Sequence, residues 1–482
     1  MRSTLICTIV LLCYAMSVEA QQVEDAIRLG NSNGTVGSRA AALGISYAGI
    51  SDDYSALYYN PAGLTLLAKK EFSIGLEFMR TSTTGNFFQT SSGIGSSIVS
   101  PTHCGMVFPF KTKTGLASVA FGYNYESSLN NTLQFDGFNP SSSIVQSLMN
   151  ETTDLNNNLA WQVSLADTRG SGKLHSPIVG NVQQSGFITE RGGIHNFTVG
   201  GALNLSETFS AGVNVAGKWG SFKYMREYKE FDKNDVYNFY DTLNFTNTDF
   251  TSMTLNETID QKLSGVSATI GLQGRFGDAF RFGVTIKTPT FYHIEEDNSR
   301  SISAKFDSDD KIYTPVYPNS DNAYLGRNTY DIITPFTFGL GFSYHTGSLT
   351  VSTAAEYNDL TQLYFDEAQP ELLLLNNDIL KTLTGIISYG VGVEFEIPNS
   401  VVIARASYMG VTSPYSNTAI NGASNIFGAG CGVYVAPNVR LDFAARYSTY
   451  SQSRSNYAMS SGSVVDYSFT PVQVSAQLTF RY

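Results

Sequence analysis

The residues from Val474 to Tyr482 alternate without a break. Val474, Ala476, Leu478, Phe480 and Tyr482 fall on one face, and Ser475, Gln477, Thr479 and Arg481 on the other. Successive side chains of a β-strand point to opposite sides, so this is a strand with one apolar and one polar face. It runs out to an aromatic residue. In a water-soluble fold a terminal strand of this kind would fray, and its apolar face would find nothing to pack against. In an outer-membrane barrel the same strand closes the ring, with its apolar face to lipid and its polar face to the lumen.

The other end of the chain agrees. Arg2 precedes an apolar run from Leu5 to Met16, followed by Val18-Glu19-Ala20 with small residues where a signal peptidase reads. Residues 1–20 are expected to be a secretory signal, cleaved after Ala20 and too short to span a membrane as a helix. A lipoprotein signal is disfavoured because Leu12 stands before Cys13, where a small residue belongs. Beyond residue 20 no stretch approaches the ~20 consecutive apolar residues of a membrane helix. Export with a strand-type terminus points to the outer membrane of a diderm (Gram-negative) bacterium.

Composition bears on the class. The chain has 28 Tyr, 31 Phe and 43 Gly against only 30 Lys and Arg. Aromatic, Gly-rich and charge-poor strands suit a barrel wall that alternates between lipid and lumen. A formal charge of −11 argues against a nucleic-acid partner, which requires a basic face. Cys104 and Cys431 are the cysteines outside the signal, too few and too far apart in sequence for a disulfide framework or a CxxC site. Cys431, within Phe427–Val435, reads as a small apolar residue.

Strand–turn–strand units recur along the chain. The first strand alternates Phe72, Ile74, Leu76 and Phe78 with Glu71, Ser73, Gly75 and Glu77. Hairpins follow at Cys104–Phe110 with Leu116–Glu126, His195–Asn204 with Phe209–Tyr224, and Leu263–Arg275 with Arg281–His293. Three more pair Pro335–Tyr344 with Leu349–Tyr357, Gly385–Glu396 with Val401–Met409, and Phe427–Val435 with Val439–Tyr450. Gly, Pro, Asn and Asp at their turns fit tight connections. The total is about 14 strands, an even number as a bacterial barrel requires. Short links are expected on the periplasmic side. Long ones are expected outside, near residues 81–100, 127–192, 225–260, 297–333, 366–382, 412–425 and 451–466. The fold class is therefore all-β, a transmembrane antiparallel barrel over residues 70–482.

Residues 21–69 do not alternate. They contain Gly37-Ser38-Arg39-Ala40-Ala41-Ala42, then Ser51-Asp52-Asp53, then Tyr59-Asn60-Pro61-Ala62-Gly63-Leu64. Ser51 is expected to cap a helix with Asp52 and Asp53 in its first turn, and Pro61 to stop that helix near Tyr59. A compact small-residue segment ahead of a large barrel is most simply a plug in its lumen. These motifs, above all Asn60, Pro61, Ala62 and Gly63, resemble the N-terminal hatch of the FadL/TodX family of outer-membrane transporters for long-chain fatty acids and other hydrophobic compounds. The resemblance covers the whole chain in architecture and is dense in residues 34–64. It implies a plugged barrel that takes an apolar ligand at an outer groove, holds it in an internal pocket and releases it sideways through a gap in the wall.

Residues for such a path can be nominated. In the longest outer connection, Val145, Leu148 and Met149 lie at helical spacing, with Trp161 further on, and form a candidate capture groove. The alternative is that they only pack the loop onto the rim. Leu372–Leu375 is a second outer candidate. Period-two reading puts Lys218, Arg275, Arg281, Lys287, Arg405, Arg440 and Arg446 in the lumen with Glu77, Glu356, Glu394 and Asp442. Arg405 is the preferred partner for a ligand carboxylate, against the general expectation of paired lumen charges. The family resemblance points to a kink in the third strand, for which Gly122 is the candidate.

No enzymatic chemistry stands out. His103, His175, His195, His293 and His345 are scattered, and HExxH, GxSxG and Cys/His metal spacings are absent from the sequence. No cofactor or metal is expected. Two readings remain: a passive uptake channel for a hydrophobic small molecule such as a long-chain fatty acid, or a non-transporting scaffold for an export or surface-attachment machine. Outer-membrane lipid and the barrel-assembly machinery, the latter through Phe480 and Tyr482, complete the expected partners.

Overall fold

The structure, a computed structural model, describes residues 26–30, 34–168, 172–240, 247–316, 323–417, 422–457 and 462–482. The expected signal at residues 1–20 lies outside them. Period-two segments assemble into one antiparallel sheet closed on itself as a 14-strand barrel. Its strands are β1 (Glu71–Phe87), β2 (Thr90–Thr112), β3 (Gly115–Ser128, resuming as Asn131–Asn139), β4 (Val182–Asn204), β5 (Phe209–Phe231) and β6 (Phe250–Phe276). Next come β7 (Phe280–Lys287, resuming as Phe291–Phe306), β8 (Ala323–Ile333, resuming as Thr337–Thr346) and β9 (Leu349–Asp359, with Tyr364–Asp366). The ring is completed by β10 (Gly385–Glu396), β11 (Val402–Val411), β12 (Ser424–Ala436), β13 (Val439–Ser455) and β14 (Val464–Arg481).

Closure joins the two ends of the barrel sequence. β14 pairs with β1 in an unbroken register from Glu71↔Arg481 to Asn86↔Asp466, and the Tyr482 N–H donates to the Lys70 carbonyl at 3.0 Å. This leaves no sheet edge in lipid, where an unpaired backbone group costs several kcal/mol. Near the closure, Ile74, Leu76 and Phe78 of β1 and Val472, Val474 and Leu478 of β14 are exposed on the outside, while Ser73, Glu77, Ser475, Gln477 and Thr479 are buried within. An apolar outer band around a polar interior is the surface of a transmembrane barrel of the outer-membrane type. No helix among the described residues is long and apolar enough to cross a membrane.

The outer connections are shorter than the alternation suggested. Residues 81–100 form no loop: β1 and β2 stay paired up to Phe87↔Thr90. Likewise β5 and β6 remain paired to Phe231↔Ser252, and β7 pairs with β8 as far as Ser301↔Ala323. Outward-facing Arg80, Ser82, Thr84 and Asn86 explain the difference. Above the membrane both faces can be polar, so the hydropathy alternation ends while the backbone ladder continues.

Three strands are interrupted at the top of the apolar band, and their faces change identity there. In the lower part of β7, Thr285 points inward and Ile286 outward. Above the break at 288–290, Tyr292, Ile294 and Glu296 are buried inside, and His293, Glu295 and Asp297 lie outside. β8 repeats the switch across 334–336, placing Tyr330 and Ile332 inside. Pro289 and Pro335 carry no N–H for the ladder, and threonines substitute: Thr290 N–H donates to Thr334 Oγ1 at 2.8 Å. The apolar face is turned from lipid below to a second, protein core above. That outer core includes Leu133, Phe135, Val145, Leu148, Tyr292, Ile294 and Ile379, together with Ala26 and Leu29.

Residues 36–67 fill the lower lumen. They form α1 (Ser38–Leu43), a 3-10 turn (Gly44–Gly49), α2 (Ala56–Tyr59) and a second 3-10 turn (Pro61–Leu66) around Tyr47, Tyr54, Leu57 and Leu64. Ser51 is not the helix cap that its sequence context suggested. It adopts φ 42°, and the helix begins only at Ala56. Pro61 does terminate α2, and then serves as the first residue of the next turn, where its missing N–H costs nothing.

Candidate functional site

The segment within the lumen is held by inlay and by charge. Asn60 Oδ1 accepts from the Ala62 N–H at 3.2 Å, and its Nδ2 donates to the Leu272 carbonyl of β6 at 3.1 Å. Pro61 and Ala62 lie so close to β5 and β6 that a β-carbon at Gly212 or Gly271 would overlap this motif, and one at Gly63 would overlap Ser51. Tyr54 is set into the wall in the same manner. Its ring occupies the space of a side chain at Gly105 and at Gly122, stacks on His103 at 5.3 Å, and its hydroxyl donates to Asn124 at 3.0 Å.

Ion pairs lock the periplasmic end. Arg39 makes two 2.8 Å bonds to Glu394 of β10 and also pairs with Asp52. Arg405 pairs with Glu394 at 2.6 Å and Asp442 at 2.8 Å, and Arg440 with Asp442 at 2.7 Å and Asp53 at 3.5 Å. Arg281 reaches Asp52 at 3.1 Å, and Arg481 binds Glu71, which also accepts the Tyr54 N–H at 2.6 Å. Burial by itself would raise the Asp53 carboxyl, but Arg39, Arg440, the Tyr47 hydroxyl and the Ser55 N–H hold it below the usual carboxylate range. Asp52 is lowered in the same way by Arg39 and Arg281. Arg405 is thus committed to anchoring, with its side chain fully buried, and is not the free cation that the sequence suggested.

A cavity of about 490 Å³ lies on the outer side of this plug. The anchors sit near the short turns, whereas the cavity reaches to Arg454 and Asn456 at the outer end of β13. Met79, Leu129, Ile188, Phe222, Tyr224 and Ile259 contribute apolar and aromatic surface to a mixed lining that also carries Glu77, Glu126, Glu190, Arg226 and Arg446. Arg446 is 5% exposed, makes no ion pair among the described residues, and has a buried Nε without a hydrogen-bond partner. The sequence placed it correctly in the lumen but could not distinguish it from six other cations. Lys218 and Lys287 are paired with Glu126 and Glu356, and Arg275 is tied to the Glu207 carbonyl of a periplasmic turn.

The cavity's side wall contains a seam. β2 pairs with β3 only from His103↔Asn124 down to Thr112↔Gly115. Above that level β2 pairs with β1 alone, and the second segment of β3 with β4 alone. Having left β2, β3 turns inward beneath the β1–β2 hairpin, where Phe135 packs on Phe87 at 5.0 Å and Leu133 is buried. The interruption is at Leu129–Asn130, not at Gly122. Gly122 is regularly paired with Gly105 and Thr198, and its missing side chain makes room for Tyr54. At the break Asn130 Nδ2 and the Leu129 N–H both donate to the carbonyl of Gly192, which has φ 148°. Asn130-Asn131 opposite Gly192-Gly193 is the signal that was readable: polar turn formers facing glycines within otherwise alternating strands. Tyr125, Ser127, Ser128 and Leu129 border both the seam and the cavity.

The outer loop nominated for capture is mostly core. Helix α3 (Ile144–Glu151) starts at Ser143, whose side chain accepts from the Val145 N–H. Glu230 of β5 accepts the Ile144 N–H at 2.8 Å, a carboxylate well placed at a helix N-terminus. Val145 and Leu148 are fully buried, while Met149 and Trp161, the latter in α4 (Leu159–Gln162), are half-buried. The first two pack the loop onto the barrel and offer no groove. Among the described residues no three His, Cys, Asp or Glu side chains are placed to hold a metal.

No family model matches the sequence, and no curated protein does. Solved structures do. The chain superposes on a Pseudomonas aeruginosa FadL homologue with TM-score 0.59 at 12% identity, over 94% of this chain and 99% of that one. It is similar to the Pseudomonas putida toluene transporter TodX, TM-score 0.54 at 11% identity over 94% and 99%. The Ralstonia pickettii toluene transporter TbuX gives 0.52 at 15% over the same shares. At these identities the likeness establishes the fold, a FadL-type barrel.

Proposed function

We propose that this FadL-type barrel passes hydrophobic small molecules, long-chain fatty acids among them, across the outer membrane by diffusion. The observation that carries the reading is the cavity of about 490 Å³ between an ion-locked plug and the β2–β3 seam. A pocket of this size, whose apolar and aromatic residues sit beside charged ones, suits an amphipathic ligand with an apolar chain. The plug blocks the direct route to the periplasm, so the seam is the exit that requires least rearrangement. Release there delivers an apolar molecule into lipid rather than water, its favourable phase by about 0.8 kcal/mol per CH₂.

TodX and TbuX are toluene transporters, and toluene is a neutral ligand. Arg446 favours an anionic head group here. Its buried Nε lacks a hydrogen-bond partner and Glu77 makes no ion pair with it, so a ligand carboxylate is the group that would satisfy its N–H donors. The test is mass spectrometry of compounds co-purified with the detergent-solubilised barrel, beside an unrelated barrel prepared in parallel. Selective enrichment of fatty acids, lost in Arg446→Gln by roughly tenfold or more, is the expected result; about 1.4 kcal/mol per tenfold is within reach of one charge-assisted bond. Enrichment of neutral aromatics unaffected by Arg446→Gln would replace the fatty-acid reading. Absence of any enriched apolar compound would end the transport reading.

A further inference from the structure

We infer that α5 (Pro370–Thr382), between β9 and β10, is an interfacial helix whose outward leucines insert into the outer leaflet of the membrane. The helix has a buried apolar side and an outward side that carries three leucines. Leu372, Leu375 and Ile379 are buried in the outer protein core, and Asn376 fixes the helix to the wall by exchanging two bonds with the Phe365 backbone at 2.8 and 3.0 Å. On the other side Leu373, Leu374 and Leu380 are 38%, 54% and 62% exposed. Asn377 and Lys381 are exposed beside them, so this face mixes leucines with a polar group and a cation, the composition of a helix lying at a membrane–water boundary.

The height of the wall decides what covers these leucines. β5 and β6 have 23 and 27 residues and rise well beyond the membrane, whereas the continuous β9 segment, β10 and β11 have 11, 12 and 10. A tilted strand needs about 9–11 residues to span a bilayer, so this side of the barrel stops at the outer lipid boundary. The lipid-facing series of β10 begins at its third residue, Ile387, and continues through Tyr389, Val391, Val393 and Phe395. α5 ends at Thr382. A bond from the Thr384 N–H to the Pro414 carbonyl at 2.9 Å and another from Ser416 N–H to Thr382 at 2.8 Å hold its end against the rim. Leu380 is therefore seven residues from Ile387, and the leucine stripe continues the apolar outer band. Helices with such a face bury it about 5–10 Å into the headgroup–acyl boundary.

The experiment uses single cysteines in a Cys104→Ser, Cys431→Ala background: Leu373→Cys, Leu380→Cys, Ile387→Cys as the lipid reference and Asp297→Cys as the water reference. Each is labelled with an environment-sensitive fluorophore in the full barrel reconstituted into liposomes, with folding checked by heat-modifiable gel mobility. Acyl-chain-brominated lipid is expected to quench labels at 373 and 380 to within about twofold of 387, the attenuation suited to an interfacial depth. Quenching at the level of 297, with iodide access from water, would overturn the inference. Protection from both quenchers would overturn it too, and would indicate a protein covering the helix.

Discussion

Single residues show how a lumen can be filled without losing its wall. Gly105 and Gly122 face inward where polar side chains would otherwise stand, and their empty space is taken by Tyr54. Gly212 and Gly271 do the same for Asn60-Pro61-Ala62. Charge completes the fit, and it predicts a pH response. Asp52 and Asp53 lie below the ordinary carboxylate range in the folded protein, so the stability they contribute is present above the unfolded value of about 3.9 and is lost as pH falls below it. Planar-bilayer recordings of the purified barrel should accordingly be quiet down to about pH 4 and show plug-opening steps that become frequent only well below about pH 3. Opening steps already at about pH 5, where both carboxylates are ionised, would show that these ion pairs do not retain the plug. Asn60, Pro61 and Ala62 pack against β5 and β6, and the commitment of Arg405 to the plug was not legible in sequence. Alternation assigns a side chain to the lumen, but which charge meets which depends on other segments: Arg405 meets Glu394 and Asp442, 11 and 37 residues away, and Arg39 meets Glu394, 355 residues away.

At the scale of elements, the decisive feature is the third strand. Its lower half obeys the alternation that identified it, with Ser118, Ala120, Gly122, Asn124 and Glu126 inside. Past Leu129–Asn130 the inward residues are Leu133, Phe135 and Gly137, so the register of faces has shifted by one. A shift of this kind turns the whole apolar set from one side to the other. That is how the strand leaves β2 and buries its upper half. The seam predicts a specific weakness. Ser128→Trp places an indole at the mouth of the gap and should lower uptake of a fluorescent fatty-acid analogue in whole cells severalfold, with unchanged protein level and heat-modifiable mobility. Uptake at the normal rate would mean that ligand leaves by another route. Val145 and Leu148 illustrate the opposite case. Their helical spacing was correctly read, yet spacing cannot tell a helix face aimed at ligand from one aimed at the barrel rim.

For the molecule as a whole, ring closure is the condition on which everything else rests. Phe480 pairs with Phe72 on one side and Val439 on the other, so the final residues stitch β14 to both neighbours. Deleting residues 480–482 should abolish the compact, heat-modifiable band in outer-membrane fractions and leave the chain degraded or soluble. A normal folded band from that truncation would show that the upper register suffices for closure.

The sequence by itself determined the class of the protein: a closed barrel of about 14 strands, a small-residue plug at its start, and the strand that completes the ring. Each follows from local rules, since period-two alternation, tight-turn residues and a proline-stopped helix depend on neighbours within a few positions. Only the tertiary structure decided where the proposed path would run. The β2–β3 seam arises from pairings that fail to form, Arg446 is singled out because every comparable lumen cation found a partner, and α5 meets lipid because the wall beneath it is short. These are relations between segments far apart in the chain, and no local pattern encodes the space that remains when those segments have packed.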